Sequence, residues 1–314
     1  MITITRAPPY LTVQDGGRLH FRAAGVPRGG AMDRFALEIL NAMVGNPAGS
    51  AGLEWALGGG TVRFDSACAF AFGGATVRAI ARGETVEPFT TLHARPGDEL
   101  QIESFTAGRF LYIGVSGGIE VPEVLESRST YLPGRFGGLG GRMVSSGNSL
   151  ALGSQPKTYP RHGFTAPYRV LPQYANHVVQ VTRGSHADLF DAERWRAFTE
   201  ASFAVAVASD RTGYKLDGAL LSHSYGELPS EPGCEGAVQV PADGNPIVLM
   251  ADAPTVGGYP KIAVVSEADL SIVAQLTPGQ HLRFRLTTVE ESQRRLRQRA
   301  KDLNAIRSAG AASA

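Results

Sequence analysis

Glycine and proline divide this chain into short pieces. There are 38 glycines and 19 prolines in 314 residues. Glycine takes up positive φ without steric cost and proline pre-sets turn dihedrals, so this density predicts many tight turns between short strands. The pieces between the turns have strand character. Residues 1–15 read as an alternating strand running into the polar turn Gln14-Asp15-Gly16-Gly17-Arg18. Thr61 to Phe64 and Thr76 to Ile80 alternate, and Ala67 to Phe72 is a brief apolar run. Arg95-Pro96-Gly97-Asp98 is a turn opening a strand from Glu99 to Glu103, and Arg109 to Val115 reads as a buried strand ending at Ser116-Gly117-Gly118. So many short strands predict a mainly β fold, a barrel or a sandwich.

Three helices interrupt this pattern. Arg34 to Val44 places Phe35, Ile39 and Met43 on one face, with Asp33 as N-cap, Gly45 as a left-handed stop and Pro47 soon after. A second helix is expected over about Ala187 to Glu200, and a long charged one over Val289 to Ile306. Residues 154–167 are polar and proline-bearing, which predicts two lobes, 1–155 and 156–314. The lobes echo each other weakly: Gly117 to Pro122 resembles Gly236 to Pro241, and Pro96 to Ile102 resembles Pro278 to Phe284. The two echoes come in reversed order, so repeated turn chemistry and a duplicated barrel both remain open.

Charge and cysteine content narrow the function. Lys plus Arg number 30 and Asp plus Glu 29, a balance that argues against a nucleic-acid binder. The basic run Arg294 to Lys301 reads as a solvated helix face. No 18-residue apolar stretch predicts a membrane span, the N-terminus lacks the pattern of a signal peptide, and Cys68 and Cys234 do not suggest a disulfide scaffold. A cytoplasmic protein is expected, with Cys68 a buried core thiol. There is no G-x-x-x-x-G-K-[ST] loop, no H-E-x-x-H, no G-x-S-x-G, and no metal-ligand spacing among the seven histidines.

Four polar, glycine-flanked loops remain as candidate chemistry. In the first, Gln14, Asp15 and Arg18 precede Gly25 to Arg34. Arg18 can grip an anionic oxygen bidentately; the structural alternatives are that Asp15 caps a turn and Asp33 a helix. The second holds Ser127, Arg128, Ser129 and Thr130, followed by Gly137-Gly138-Leu139-Gly140-Gly141-Arg142. Its glycines either converge backbone N–H groups on an anion or simply make a loop. The third is Ser209-Asp210-Arg211-Thr212-Gly213-Tyr214-Lys215, after an apolar strand. The fourth pairs Gln239 to Gly244 with Asp252 to Pro260, where Thr255, Gly257, Gly258 and Tyr259 stand out and Asp243-Gly244 reads first as a turn.

In this order the loops resemble one family. The strings Val13-Gln14-Asp15 with Gly17-Arg18, Gly25-Val26-Pro27 with Gly30-Ala31-Met32-Asp33, Ser127 to Thr130, Ser209-Asp210-Arg211 with Gly213-Tyr214, Gln239-Val240-Pro241, and Gly257 to Pro260 are similar to those of the KipA group. These are biotin-dependent carboxyltransferase-like proteins, also described as the C component of ATP-hydrolysing 5-oxoprolinase and as allophanate hydrolase subunit 2-like. They are related to the second half of the carboxyltransferase region of urea carboxylase (urea amidolyase). Two departures adjoin matching strings: Leu19-His20-Phe21 replaces Pro-Gly-Tyr, and Glu126 replaces a glycine. The resemblance, from about Leu11 to Phe284, implies tandem cyclophilin-like β-barrels. It implies two partners, one KipI-like and one LamB/YcsF-like, and ATP with Mg bound jointly with a partner. The implied reaction opens 5-oxoproline to glutamate.

On that footing Asp15, Arg18, Arg128, Asp210 and Arg211 are expected to be catalytic. Gln14, Asp33, Ser127, Ser129, Thr130, Arg142, Tyr214, Gln239, Thr255, Gly257, Gly258 and Tyr259 are expected to bind substrate. One alternative is carboxyl transfer from carboxybiotin to urea or a related amide, with the biotin on another protein because the chain has no Met-Lys-Met site. The other is a non-catalytic regulator that binds a KipI-like partner.

Overall fold

A computed structural model describes residues 1–156, 162–223 and 228–311. Residues 157–161, inside the expected lobe boundary, lie outside the described residues. The chain divides into two compact units. Unit one comprises residues 1–18, 29–172 and 299–314, and unit two comprises 19–28 and 173–298.

Unit one is a ten-stranded antiparallel, barrel-like sheet. Its strands are β1 (Ile2–Arg6), β2 (Tyr10–Gln14), β3 (Gly52–Ala56), β4 (Gly60–Phe64), β5 (Cys68–Ala81), β6 (Glu84–Val86), β7 (Leu92–Ala94), β8 (Glu99–Val115), β9 (Ile119–Glu120) and β10 (Ser149–Leu152). The alternation in β4 buries Val62 and Phe64 while Thr61 and Arg63 face outward. Trp55, Phe64, Phe72, Leu111 and Ile113 are wholly buried in the core. Each contributes about 1.5–3 kcal/mol by leaving water.

Two expectations are corrected here. The four short strands expected between Ala67 and Val115 are two long ones, β5 of 14 residues and β8 of 17. They pair antiparallel from Phe70↔Val115 to Ala81↔Leu100, with register shifts at Gly74/Thr76, Thr76/Val77 and Arg78/Ala79. Bulges carry the strand through glycines that read as turns. Helix α1 (Arg34–Met43) forms as expected: Asp33 accepts a hydrogen bond from the Ala36 N–H at 3.1 Å, and Gly45 has φ +73°. It lies close on β8 because residue 114 is glycine; a Cβ there would come within 3.1 Å of Leu40 Cβ.

Unit two is built on a closed seven-stranded barrel in the order β11-β18-β15-β16-β13-β12-β19. These are β11 (Val178–Arg183), β12 (Phe203–Val205), β13 (Gly213–Asp217), β15 (Ala237–Gln239), β16 (Ile247–Leu249), β18 (Lys261–Val265) and β19 (His281–Leu286). A separate ribbon pairs β14 (Glu231–Pro232) with β17 (Val256–Gly257). Helix α2 (Ala192–Glu200) supplies Phe198, which stacks on Phe284 at 4.5 Å between ring centroids. The helix expected from Ala187 begins instead with a single tight turn at Ala187–Leu189, and Asp191 then caps α2 through the Arg194 N–H. Helix α3 (Glu267–Gln275) was not expected. Helix α4 (Val289–Ala311) runs five residues beyond Ile306. No helix among the described residues is long and apolar enough to cross a membrane.

Candidate functional site

The first two polar loops meet in unit one, around Asp15. Its Oδ1 accepts from Ser127 Oγ at 2.7 Å, Ser129 Oγ at 2.5 Å and the Gly17 N–H at 2.8 Å. Its Oδ2 accepts from the Arg128 N–H at 2.6 Å. The Asp15 N–H donates to Ser129 Oγ at 3.0 Å, and the Thr130 N–H donates to the Val13 carbonyl at 2.9 Å. Residues over 110 positions apart are thereby locked together, with Asp15 only 6% exposed. A carboxylate holding four donors is a strong organiser of loops.

Arg18 is fully buried. It donates from Nε to the Val124 carbonyl at 3.1 Å and from Nη2 to the Ser129 carbonyl at 2.5 Å, and its guanidinium lies 4.8 Å from the Phe136 ring centre. Gln14 donates to Thr12 Oγ1 and to the Thr130 carbonyl, both at 3.1 Å. The glycine loop backs onto the same knot. Gly137, Gly138, Gly140 and Gly141 all have positive φ, but the N–H of Gly138 goes to the Arg128 carbonyl and that of Gly141 to the Gly137 carbonyl. Arg128 is partly exposed and donates to Glu123 at 2.5 Å and Glu120 at 2.8 Å. The Glu120 carboxylate, ahead of Glu123, holds its guanidinium more firmly charged than usual. Arg142 is exposed and turns to Asn148 Oδ1 at 2.9 Å and the Met143 carbonyl at 3.0 Å.

Asp33 is buried as the cap of α1, and its N–H donates to Tyr112 Oη at 2.8 Å. Tyr112 donates to Glu54 Oε2 at 2.7 Å, and the same oxygen takes the Met32 N–H at 2.8 Å. Burial, then the Glu54 charge, pushes the Tyr112 hydroxyl well above its usual pKa. Sequence reasoning passed over Glu54, a carboxylate with no exposure between Leu53 and Trp55; its only signal was a charge inside an apolar strand. A small cavity of about 110 Å³ elsewhere in this unit, lined by Phe64, Phe70, Leu92, His93 and His162, contains none of the expected residues.

The other two loops lie in unit two. Arg211 and Asp252 form a two-point ion pair, Nε to Oδ2 at 2.8 Å and Nη2 to Oδ1 at 2.9 Å, with both side chains largely buried. Asp210 folds an exposed turn, accepting the Thr212 N–H at 2.8 Å. Tyr214, expected at a ligand, is wholly buried and donates to the Ala274 carbonyl at 2.9 Å.

Gln239, Gly257, Gly258 and Tyr259 do come together, lining a cavity of about 340 Å³ with Ser230 and Leu249. That volume lies within the ~300–1,000 Å³ range usual for small-molecule sites. A register shift between Val238 and Gln239 at the end of β15 marks a bulge, a device that re-aims a side chain. The β14–β17 ribbon supplies Val256 and Gly257 to the wall. Arg22 steadies the rim from Nη2, donating to the Gly233 carbonyl at 2.7 Å and the Pro254 carbonyl at 3.0 Å. Thr255 contributes its carbonyl, which accepts the Gly233 N–H at 2.9 Å. Beside the ribbon, Glu231 accepts from Lys261 Nζ and from Ser185 Oγ at 3.2 Å. The Lys261 bond, above all, holds the Glu231 carboxyl below its usual range. Sequence reasoning missed Arg22 and Ser230, which belong to no distinctive string.

Comparison with known proteins agrees with this architecture. The chain is 38% identical over 293 residues to the C component of 5-oxoprolinase from Escherichia coli, covering 93% of each chain. It is 32% identical to the Haemophilus influenzae protein of the same name, covering 98% of each. It is 30% identical to urea amidolyase of Saccharomyces cerevisiae, covering 93% of this chain but 17% of that one. Among solved structures, urea amidolyase of K. lactis superposes with a TM-score of 0.91 at 29% identity over 97% of this chain, and K. lactis urea carboxylase with 0.90 at 29% identity over 97%. The chain spans only 20% and 29% of those two solved chains. The family model for the carboxyltransferase domain, subdomain A and B, matches residues 24–286. With that match over most of its length, and relatives aligned almost end to end, the chain belongs to the carboxyltransferase domain, subdomain A and B, family.

Proposed function

We propose that this chain is one component of an ATP-dependent 5-oxoprolinase, working with a KipI-like and a LamB/YcsF-like partner to open 5-oxoproline to glutamate. The observation that carries this is the 38% identity to the C component of a 5-oxoprolinase over 93% of both chains, whereas the urea amidolyase match accounts for 17% of that protein. The chemistry needs a partner. A lactam is a poor electrophile; phosphoryl transfer from ATP to its carbonyl oxygen, with release of ADP, makes the carbon open to water. The water adduct then collapses by breaking the C–N bond, giving the free amine and an acyl phosphate, and a second water hydrolyses the acyl phosphate to the carboxylate and phosphate. Developing oxyanion charge in such a step calls for positioned donors.

The chain's own residues fit part of this task. The described residues hold no group of three or more His, Cys, Asp or Glu side chains that could bind a metal ion, and two N–H groups of the glycine loop bond within the protein. In this proposal ATP with Mg is bound jointly with a partner, and the unit-two cavity takes the amide substrate. Arg18 and Arg211 act as positioning residues, while Arg128, partly exposed, is the candidate with access to an incoming anionic group.

Coexpression with the two cognate partners is expected to give ATP-dependent glutamate formation from 5-oxoproline. Folded, associated partners that form no glutamate would overturn it. Carboxyl transfer is the second reading, favoured by the TM-score of 0.91 to urea amidolyase. It predicts transfer of labelled carboxylate from carboxybiotin to an amide. A regulatory role alone predicts partner binding with no turnover.

A further inference from the structure

We infer that Gln239 is the residue that selects the substrate, by pairing its carboxamide with the N–H and C=O edge of a cis amide. This rests on the lactam reading above and narrows it to one side chain. Gln239 is more than nine-tenths buried and faces the cavity. Among the described residues neither atom of its amide group has a hydrogen-bond partner. The amide atoms open onto the cavity and are not sealed from solvent, so a ligand gains by replacing cavity water with a matched pair of hydrogen bonds. Gly257 keeps the approach open, since a Cβ there would sit 3.1 Å from Gln239 Nε2.

The chemistry of the ligand follows from the walls. None of the described residues lining the cavity carries a formal charge; Ser230 and Tyr259 add hydroxyls, and Leu249 and Val256 add apolar surface. The nearby Lys261 is held by Glu231, and Arg22 at the rim is turned onto two backbone carbonyls. A carboxylate has no cation to meet among the lining residues, so the charged end of a substrate stays outside the cavity. A primary carboxamide presents one acceptor and one donor side by side. A ring-closed amide presents the complementary pair on one edge, because the ring forces its N–H and C=O onto the same side. An open-chain secondary amide, being trans, does not. A site that pairs with a polar edge rejects an analogue lacking it far more strongly than an apolar pocket distinguishes sizes.

The test is binding to the purified full-length chain, read by calorimetry or by chemical-shift changes. The probes are 2-pyrrolidinone, 5-oxoproline, N-methyl-2-pyrrolidinone and 2-imidazolidinone. 2-Pyrrolidinone is expected to bind within a few-fold of 5-oxoproline, and N-methyl-2-pyrrolidinone at least tenfold more weakly. Gln239→Glu, nearly the same shape but charged, is expected to lose at least tenfold for 2-pyrrolidinone while the chain stays folded by circular dichroism. Equal binding of the methylated and unmethylated lactams, or no lactam binding at millimolar concentration, overturns the assignment without any variant. Tighter binding of 2-imidazolidinone than of 2-pyrrolidinone keeps the edge recognition and overturns the lactam as its source. Lactam binding by the chain together with an inactive complex would refute the oxoprolinase proposal and leave Gln239 standing. Full oxoprolinase activity of the Gln239→Glu complex would do the reverse.

Discussion

Glu126 stands at φ +59°, beside Leu125 at +55°. A side chain in the left-handed region costs about 1–2 kcal/mol, and glycine avoids this while giving back about 0.5–1 kcal/mol through its freer unfolded state. Glu126→Gly is therefore expected to raise stability by roughly 0.5–1 kcal/mol, seen as a higher urea midpoint at unchanged slope. The departure from the family string noted in the sequence is thus a backbone matter, adjacent to Ser127 and the Asp15 knot. Cys68 gives a second prediction. Burial pushes its thiol up to about 11, and it is 4% exposed, whereas Cys234 is exposed. Burial also pushes the Cys234 thiol up, but that side chain is exposed, so a thiol reagent at pH 8 should modify Cys234 in the folded chain and Cys68 only on unfolding. The folded chain keeps the Cys68 proton that the unfolded chain releases near pH 9, so this contribution to stability is present below pH 9 and is lost as pH rises toward about 11. The Asp15 knot itself was not legible. Its members were each singled out in the sequence, but nothing local says that Asp15 meets Ser127 and Ser129 across more than 110 residues.

Elements were readable where their signals are local. Helix α1 carries its cap, its apolar face and its glycine stop within thirteen residues, Asp33 to Gly45. Helix α3 has no such face: every residue from Ala268 to Gln275 is buried, so no amphipathic stripe marks it. The long strands β5 and β8 were hidden by glycines that serve bulges. Helix α3 also anchors unit two through Asp269, which is 1% exposed. Its carboxylate accepts from Arg295 Nη1 at 3.0 Å, from Arg295 Nη2 at 2.5 Å, and from the Gln180 N–H at 2.8 Å, joining α3 to α4 and β11. Asp269→Ala is expected to cost about 2 kcal/mol, because it strands a partly exposed guanidinium and a backbone donor. Chemical denaturation measures this directly; a loss under about 1 kcal/mol would show that the three elements hold together without it.

At the scale of the whole molecule, the mainly β class followed from turn density, and the tandem barrel-like architecture followed from the resemblance. The weak echo between the halves did not decide it, since its two pieces occur in the opposite order. Of the expected site residues, the structure gathers two groups. One surrounds Asp15 in unit one and is held by the protein's own bonds; the other lines the unit-two cavity and leaves Gln239 open to a ligand. In the function proposed above, such a chain supplies recognition and leaves phosphoryl chemistry to its partners. The direct measurement is a titration of this chain into fixed amounts of the two partner proteins with ATP and 5-oxoproline. Glutamate release is expected to rise from background and saturate at a fixed stoichiometric ratio, and to vanish without ATP. Release at the same rate without the chain, or none at any ratio with folded, associated partners, would contradict the account.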